Sequence, residues 1–347
     1  MSVPIPFSRP ATPGPQLLNI GWCGLGSMGF HMARNLAKYR GSLPSTSPLL
    51  VYNRSASKSQ ELQKLLGASK VEIAESPEQL VLECDIVITI LATDAVVKTI
   101  YEQFAAALQK SPPTKNKIVV DMSTIYPAVA GELDSLISSI PLTHFVTCPV
   151  FGAPAAADRA QLVCILAGDY RSKKEVAHLL VPAVGKKAMD LGGNIEKAPT
   201  FKLIGNSMIL GTLEILAEAF TLADKAGIGS GTAYEFVKDM FPAPSWINYG
   251  NRMTNDNFDG STGFAVDGGL KDAVHITRLA TELNSPMPAV DAARRHLLTA
   301  RAQQSAQALR GESTFELLDW SSLIAGPRVG AGLEPFDSGK NTKVVKE

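Results

Sequence analysis

The most restrictive feature of the sequence is a glycine pattern placed between an apolar strand and a helix. The run 17–23 is apolar and predicts a β-strand, Gly24-Leu25-Gly26-Ser27-Met28-Gly29 follows it, and residues 30–39 have helical periodicity. In such a G-x-G-x-x-G pattern the glycines permit a tight turn, close approach of a pyrophosphate, and close packing of helix on strand. The first amides of the helix then face the anion. The pattern predicts a dinucleotide-binding turn, with an ordinary glycine-rich turn as the alternative.

Short apolar segments recur through the first half of the chain and predict a parallel sheet. Helical patterns separate these segments, which is typical of parallel strands covered by helices on both faces. The predicted strands are 17–23, 49–53, 70–74, 85–91, 117–121, 144–149 and 162–167.

The second half of the chain changes character near residue 195, because no strand pattern follows. A helical pattern that is apolar nearly all round covers 198–227, so we expect this helix to be buried on several sides. Glu214 and Glu218 near its centre argue against a membrane span, since charges are costly in a bilayer. Further helices are predicted at 231–240, 270–283 and 289–309. The predicted organisation is a flexible tail at 1–16, a nucleotide-binding domain at 17–195, a helical domain at 196–330 and a polar tail at 331–347.

Composition and charge exclude several classes of protein. Hydrophobic residues make up 45% of the 347 residues, which is enough apolar material for a sizeable core. Lys+Arg and Asp+Glu are both 33, so no net charge attracts the protein to nucleic acid or to an anionic membrane. The 4 cysteines lack C-x-x-C spacing and lie in or beside apolar runs, so we expect buried thiols and no metal site. The first 16 residues are rich in proline and lack an apolar signal core, which predicts a cytoplasmic protein and leaves a mitochondrial leader open.

The residues after the second predicted strand bear on the choice of cofactor. Enzymes that use NAD usually carry an acidic residue there, which accepts a hydrogen bond from the ribose 2′-hydroxyl. This chain has Asn53-Arg54-Ser55 instead, and the Arg54 guanidinium can pair with a 2′-phosphate. We therefore expect NADP in preference to NAD, with a solvated surface arginine as the alternative.

Two polar residues, Lys202 and Asn206, are unexpected in the long apolar helix. Being four residues apart, they share one face of it. A lysine beside a cleft can exchange a proton, and an asparagine can orient a substrate oxygen or the amine. The alternative is a lysine that reaches water and an asparagine that is satisfied in the core. Ser123 and Thr124 follow the fifth predicted strand, where parallel sheets bind ligands, and a helix cap is the alternative there.

Five motifs follow one another along the chain: GLGSMG at 24–29, DMST at 121–124, CPVFGAP at 148–154, KLIGN at 202–206 and LKDA at 270–273. In sequence and order these motifs resemble the β-hydroxyacid dehydrogenase family of the 6-phosphogluconate dehydrogenase superfamily. That family includes 3-hydroxyisobutyrate dehydrogenases and glyoxylate/succinic semialdehyde reductases. The resemblance implies a Rossmann-like N-terminal domain, a long connecting helix and an all-α C-terminal domain that forms a homodimer.

The resemblance also implies roles for individual residues. Lys202 would be the general acid and base, Asn206 would position the substrate, and Asp272 would support its helix. Besides the glycine turn, the residues expected to contact the cofactor are Asn53, Arg54, Ser55, Leu91, Ala92, Thr93, Thr124 and Lys271. The residues expected at the substrate are Ser123, Phe151, Gly152 and Ala153.

The segment 149–153 departs from the family's pattern. Where the family usually reads P-V-S-G-G, this chain reads Pro149-Val150-Phe151-Gly152-Ala153. An apolar ring thus replaces a hydroxyl, and a methyl group replaces a hydrogen, near the expected site for a carboxylate. A larger or more apolar substrate than a small hydroxyacid becomes a second expectation.

These observations lead to one main hypothesis and two alternatives. The main hypothesis is an NADP-dependent oxidoreductase that transfers a hydride between nicotinamide and a β-hydroxyacid or short semialdehyde, with Lys202 as general acid and base. The first alternative is an imine reductase or reductive aminase, against which the retained Lys202 argues. The second alternative is a non-catalytic module that binds the cofactor.

Overall fold

The computed structural model describes residues 4–8, 18–44 and 46–341. The chain divides into two compact units, Met1–Lys202 and Leu203–Glu347. The division falls a few residues inside the long helix, after the predicted boundary at 195. The first turns of this helix belong with the sheet, because Ala198 and Phe201 pack in one apolar cluster with the strand residue Ile165.

The first unit is built on one sheet, which has 9 strands among the described residues. The strands are β1 (Ile20–Cys23), β2 (Leu49–Tyr52), β3 (Val71–Ile73), β4 (Ile86–Thr89), β5 (Lys117–Asp121), β6 (Thr143–Thr147), β7 (Val150–Phe151), β8 (Leu162–Gly168) and β9 (Gly185–Asp190). Their order is β3-β2-β1-β4-β5-β6-β8-β7, and β9 pairs with β8. Since the chain leaves β3 at one edge and returns beside β1 as β4, the order reverses at β1, which is where parallel sheets bind ligands.

The direction of the strands agrees only partly with the sequence-based prediction. Strands β1 to β6 are parallel as predicted. The prediction is wrong for β8, which runs antiparallel to β6 and β7, while β9 runs parallel to β8. Every residue of β1, β4 and β5 is buried, as expected for strands that are covered on both faces.

The helices of the first unit connect these strands. They are α1 (Gly29–Arg40), α2 (Ala56–Leu66), α3 (Pro77–Glu83), α4 (Asp94–Lys110), α5 (Pro127–Ser138), α6 (Pro154–Asp158) and α7 (Tyr170–Leu180). The buried face of α1, with Met32 and Leu36 at 0% exposure, packs in the same core cluster as Trp22 of β1. This contact places the start of α1 directly after the glycine turn.

The second unit is helical, and α8 (Lys197–Lys225) enters it from the first. The other helices are α9 (Ser230–Met240), α10 (Pro244–Thr254), α11 (Val266–Glu282), α12 (Pro288–Leu309) and α13 (Ala325–Gly330), with 3-10 turns at Trp320–Ile324 and Ser338–Lys340. The predictions for α8, α9, α11 and α12 are confirmed. Helix α10 was not predicted from the sequence; it begins at Pro244, a residue that the first helical position tolerates.

The long helix α8 is only partly buried. Leu203, Leu210 and Leu213 are fully buried, whereas Met208 and Leu222 on the opposite face are each 70% exposed. Burial on several sides is therefore wrong for this outer face. Within the described part of the chain, α8 alone has the length and apolar composition to cross a membrane, and half of that apolar window is buried in the protein.

Both predicted tails contain residues with fixed positions. In the N-terminal tail, Phe7 is 6% exposed and packs in the core of the first unit, and the Pro4 carbonyl accepts a hydrogen bond from Ala188 N at 2.8 Å. The prediction of a flexible tail is thus wrong for residues 4–8, and the rest of 1–16 lies outside the described residues. In the C-terminal tail Leu333 is buried and Phe336 meets Phe258 edge to face, so 331–341 belong to the second unit, and 342–347 lie outside the described residues.

The four cysteines are buried, as the sequence predicts. None forms a disulfide. Burial raises the pKa of the Cys23 thiol to about 12, so this side chain is a neutral apolar group at physiological pH. The cysteines therefore contribute to packing.

Removing the Phe7 ring tests whether the N-terminal segment stabilises the first unit. We expect Phe7→Ala to lower the free energy of unfolding by about 3 kcal/mol, because it leaves a cavity in a closed core. Ser8→Ala, which alters an exposed neighbour in the same segment, should change it by less than about 0.5 kcal/mol. Urea denaturation measures both values. Equal stability of the two variants would show that the segment contributes nothing.

Candidate active site

The glycine turn after β1 is held in a conformation that only glycine adopts without strain. Gly24 has φ +106°, and a Cβ atom there would lie 2.2 Å from the Ile90 carbonyl oxygen. A Cβ on Gly29 would lie 2.2 Å from the carbonyl oxygen of Gly24. A Cβ on Gly26 would meet nothing within 4 Å. Gly24 and Gly29 therefore allow the turn to pack closely against the end of β4 and on itself. Gly26 leaves open space beside the turn, which fits the approach of a pyrophosphate.

Asn53 ties the end of β2 to the glycine turn. Its Oδ1 accepts a hydrogen bond from Leu25 N at 2.8 Å, and its Nδ2 donates to the Ser55 carbonyl at 3.0 Å. Arg54, between these two residues, is exposed. The Asn53 side chain thus stabilises the glycine turn. Arg54 follows β2 in the region where enzymes that use NAD usually carry an acidic residue.

A buried hydrogen-bond network joins the ends of β4 and β5. Ser123 is 2% exposed, and its hydroxyl donates to Asp121 Oδ1 at 2.8 Å and accepts from Leu91 N at 2.8 Å. Thr89 Oγ1 donates to the same Asp121 oxygen at 2.8 Å. These bonds fix the loop that carries Leu91 and Ala92. The roles of Asp121 and Thr89 were not predicted from the sequence, although Asp121 is the first residue of the DMST motif.

The adjoining loop residues have the following surroundings. Thr93 caps α4, because its hydroxyl accepts a hydrogen bond from Val96 N at 3.3 Å. Ala92 is exposed and Thr124 is half-buried. Contacts of these residues with a cofactor, and of Ser123 with a substrate, stay predictions.

The segment after β6 places Phe151 beside Lys202. The Lys202 Nζ atom lies 4.7 Å from the centre of the Phe151 ring. Gly152 has φ +138°, and a Cβ there would lie 2.5 Å from the Leu162 side chain, so glycine is required at this turn. Ala153 follows and precedes α6. The first unit therefore brings the predicted acid and base to the predicted substrate segment.

In the second unit, Asp272 connects Asn206 with Lys271. Asn206 is 5% exposed, and its Nδ2 donates to Asp272 Oδ2 at 2.7 Å. The Lys271 ammonium lies 3.2 Å from Asp272 Oδ1. Because Asp272 itself is fully buried, its carboxylate fixes the orientation of the Asn206 amide. The sequence predicted that Asp272 supports its own helix, and this contact with Asn206 of α8 was not predicted.

Two family models match this chain. The NAD binding domain of 6-phosphogluconate dehydrogenase matches residues 19–193, which is half of the chain. The NAD-binding domain of NADP-dependent 3-hydroxyisobutyrate dehydrogenase matches residues 197–312. The chain belongs to the β-hydroxyacid dehydrogenase family. It is accordingly a nicotinamide-dependent oxidoreductase of the class that acts on CH–OH groups.

Individual members of the family cover most of the chain. The uncharacterized oxidoreductase YfjR of Bacillus subtilis (strain 168) is 29% identical over 88% of this chain and 99% of its own length. The NADH-dependent oxidoreductase ucdB of Aspergillus ustus is 29% identical over 78% of this chain and 88% of its own. The solved 3-hydroxyisobutyrate dehydrogenase of Mycobacterium tuberculosis with L-serine has a TM-score of 0.70 and 22% identity, over 90% of this chain and 100% of that chain. This likeness confirms the fold.

The open space at Gly26 leads to a test of cofactor binding. We expect Gly26→Ala to fold normally and to weaken binding of the nicotinamide cofactor about tenfold, because its methyl group would occupy the approach of the pyrophosphate. Titration of NADPH and NADH by fluorescence measures the affinity, and thermal denaturation measures the fold.

Gly193→Ala is the matched control, since a Cβ there also meets nothing within 4 Å. This variant should bind and fold like the wild type. Unchanged affinity in Gly26→Ala would contradict the placement of the pyrophosphate at this turn.

Proposed function

We propose that this protein is an NADP-dependent oxidoreductase that interconverts a β-hydroxyacid, or the alcohol of a short semialdehyde, with its carbonyl form. The observation that carries the proposal is the position of Lys202. It is half-buried at the start of α8 and lies against the segment 149–153, in the same unit as the glycine turn. A lysine in this position is suited to proton transfer at a reacting oxygen.

The chemistry divides between the cofactor and the side chains. The nicotinamide cofactor, when bound, supplies or accepts the hydride. In the direction of reduction, the Lys202 ammonium donates a proton to the oxygen of the carbonyl as negative charge develops on it. In the direction of oxidation, the Lys202 amine accepts the proton of the hydroxyl. We assign the positioning of the substrate to Asn206, whose amide is oriented by Asp272.

The family supports a β-hydroxyacid or short semialdehyde as the substrate. L-serine, with which the mycobacterial relative was solved, carries a hydroxyl group on the β-carbon of a carboxylic acid. Phe151 favours one alternative, an imine reductase, because it removes a hydroxyl where the family usually anchors a carboxylate. The presence of Lys202 favours carbonyl reduction over that alternative.

We further infer that the protein forms a homodimer through the outer face of α8. Met208 and Leu222 on this face are each 70% exposed, and Ile204 and Ile215 are also exposed. A contiguous apolar stripe of this kind is typical of an interface between copies of a chain.

Replacement of Lys202 tests the proposed mechanism. We expect Lys202→Ala to lower kcat by about 10²- to 10⁴-fold, the usual contribution of a general acid, and to leave NADPH affinity nearly unchanged. The measurement is NADPH oxidation, followed by absorbance, with glyoxylate, succinic semialdehyde, bulkier aldehydes and a cyclic imine.

Lys197→Ala, an exposed lysine in the first turn of the same helix, is the control and should retain full turnover. Near-native turnover of Lys202→Ala would refute the mechanism. Turnover of the imine above that of every aldehyde would favour the imine reductase instead.

Replacement of Arg54 tests the choice of cofactor. The NADP preference is supported by the exposed Arg54 after β2 and by the NADP-dependent family model, whereas the Aspergillus relative is named as NADH-dependent. We expect Arg54→Ala to raise the KM for NADPH about tenfold and to leave the KM for NADH unchanged, because only NADPH carries the 2′-phosphate.

The exposed Lys64 at the far end of α2 provides the control, and Lys64→Ala should change neither constant. A wild-type preference for NADH, or equal effects of Arg54→Ala on both cofactors, would contradict the assignment.

A further inference from the structure

The contact between Phe151 and Lys202 has a consequence for the charge of the lysine. The Nζ atom lies 4.7 Å from the centre of the ring, within the range in which an aromatic face attracts a cation. The attraction acts on the ammonium form and not on the neutral amine. A ring in this position therefore favours the protonated form of the lysine.

The ring of Phe151 is itself held on several sides. Its backbone pairs with Val163 of β8. The ring of Phe201 meets it edge to face, with the centres 5.8 Å apart and the planes at 84°. Both rings pack on the buried Ile165 and Ala167. The position of the Phe151 ring is therefore determined by strand pairing and packing. Its contact with Lys202 does not require a loop to close.

The backbone that follows makes the same position rigid. Gly152 turns the chain at φ +138°, and a Cβ atom on residue 152 would lie 2.5 Å from the Leu162 side chain. Pro154 then begins α6. Only glycine adopts this backbone conformation without strain, so the path of the chain after Phe151 is fixed at this turn. The ring face stays available to the ammonium group.

We propose that Phe151 is a positioning residue for Lys202: its ring face holds the ammonium group in the protonated state that carbonyl reduction consumes. This inference rests on the proposed function. In each reductive turnover the N–H bond of Lys202 breaks and an O–H bond forms on the carbonyl oxygen, while the hydride comes from the reduced nicotinamide. The amine that remains takes a proton from water, and the ring favours that return.

The experiment compares Phe151→Leu with Phe151→Tyr. Leucine keeps an apolar side chain and removes the aromatic face, whereas tyrosine keeps the face. The first readout does not need activity. Trace acetic anhydride labels only the neutral amine, so the labelling rate of Lys202, measured by mass spectrometry against pH, gives the midpoint of its protonation.

We expect Phe151→Leu to lower the midpoint of Lys202 protonation by about 0.5 to 1 on the pH scale, because a cation–π contact usually has this strength. Phe151→Tyr should keep the wild-type midpoint. The alkaline decline of kcat for NADPH-dependent reduction should move in parallel, with a smaller change in KM. Thermal denaturation and NADPH titration check that both variants fold and bind the cofactor, and the midpoint of labelling does not depend on how accessible the amine is.

The outcomes separate this inference from the proposed function. Identical midpoints in the wild type and Phe151→Leu would overturn the inference, even where turnover depends on Lys202. Equal shifts in Phe151→Leu and Phe151→Tyr would overturn it as well, because packing alone would then explain them. A wild type without Lys202-dependent turnover would refute the proposed function, and the labelling midpoints would still decide whether the ring holds the ammonium.

Discussion

The close approach of the Ile90 carbonyl to Gly24 is the constraint on which the nucleotide-binding half depends. A Cβ atom at position 24 would lie 2.2 Å from that oxygen, so β1 and the end of β4 meet with no side chain between them. This contact directs the chain into α1, whose first residue, Gly29, closes on the Gly24 carbonyl in the same way. Once these two contacts are made, Gly26 faces open space and the amides at the start of α1 are presented to an anion. The cofactor turn is therefore a consequence of how strand and helix pack.

A chain of buried hydrogen bonds then fixes the neighbouring strand ends. The Thr89 hydroxyl donates a hydrogen bond to Asp121. Tyr101 is therefore the donor in its 3.0 Å contact with Thr89. Burial, together with the nearby Asp121 carboxylate, raises the pKa of Tyr101 well above its usual range, so the tyrosine stays protonated and can donate. The Ser123 hydroxyl donates to the same Asp121 oxygen and accepts a hydrogen bond from Leu91 N. Two hydroxyl groups thus donate to one oxygen of this buried carboxylate, and through them Asp121 aligns the loops after β4 and β5.

Residues whose role follows from local sequence were predictable, and residues whose role depends on distant partners were not. The glycine turn, the parallel strands and the bounds of α8 follow from spacing and periodicity. The antiparallel direction of β8 does not, since Leu162–Gly168 is an apolar run like those of the parallel strands β1 and β4. Phe7 is a single aromatic residue in a proline-rich segment, and only its packing in the core gives it a role. Likewise the sequence placed Phe151 at the substrate, but its contact with Lys202 requires the pairing of β7 with β8.

The helix α8 explains how the predicted catalytic pair is kept in register. Lys202 and Asn206 are separated by four residues, which is a rise of about 6 Å along one face. Each takes its partner from the unit to which it belongs, Lys202 from Phe151 and Asn206 from Asp272. The spacing fixes the positions from which the two side chains leave α8, and each has a contact within its own unit. A substitution at Phe151 should accordingly alter the protonation of Lys202 and leave the orientation of Asn206 as it is.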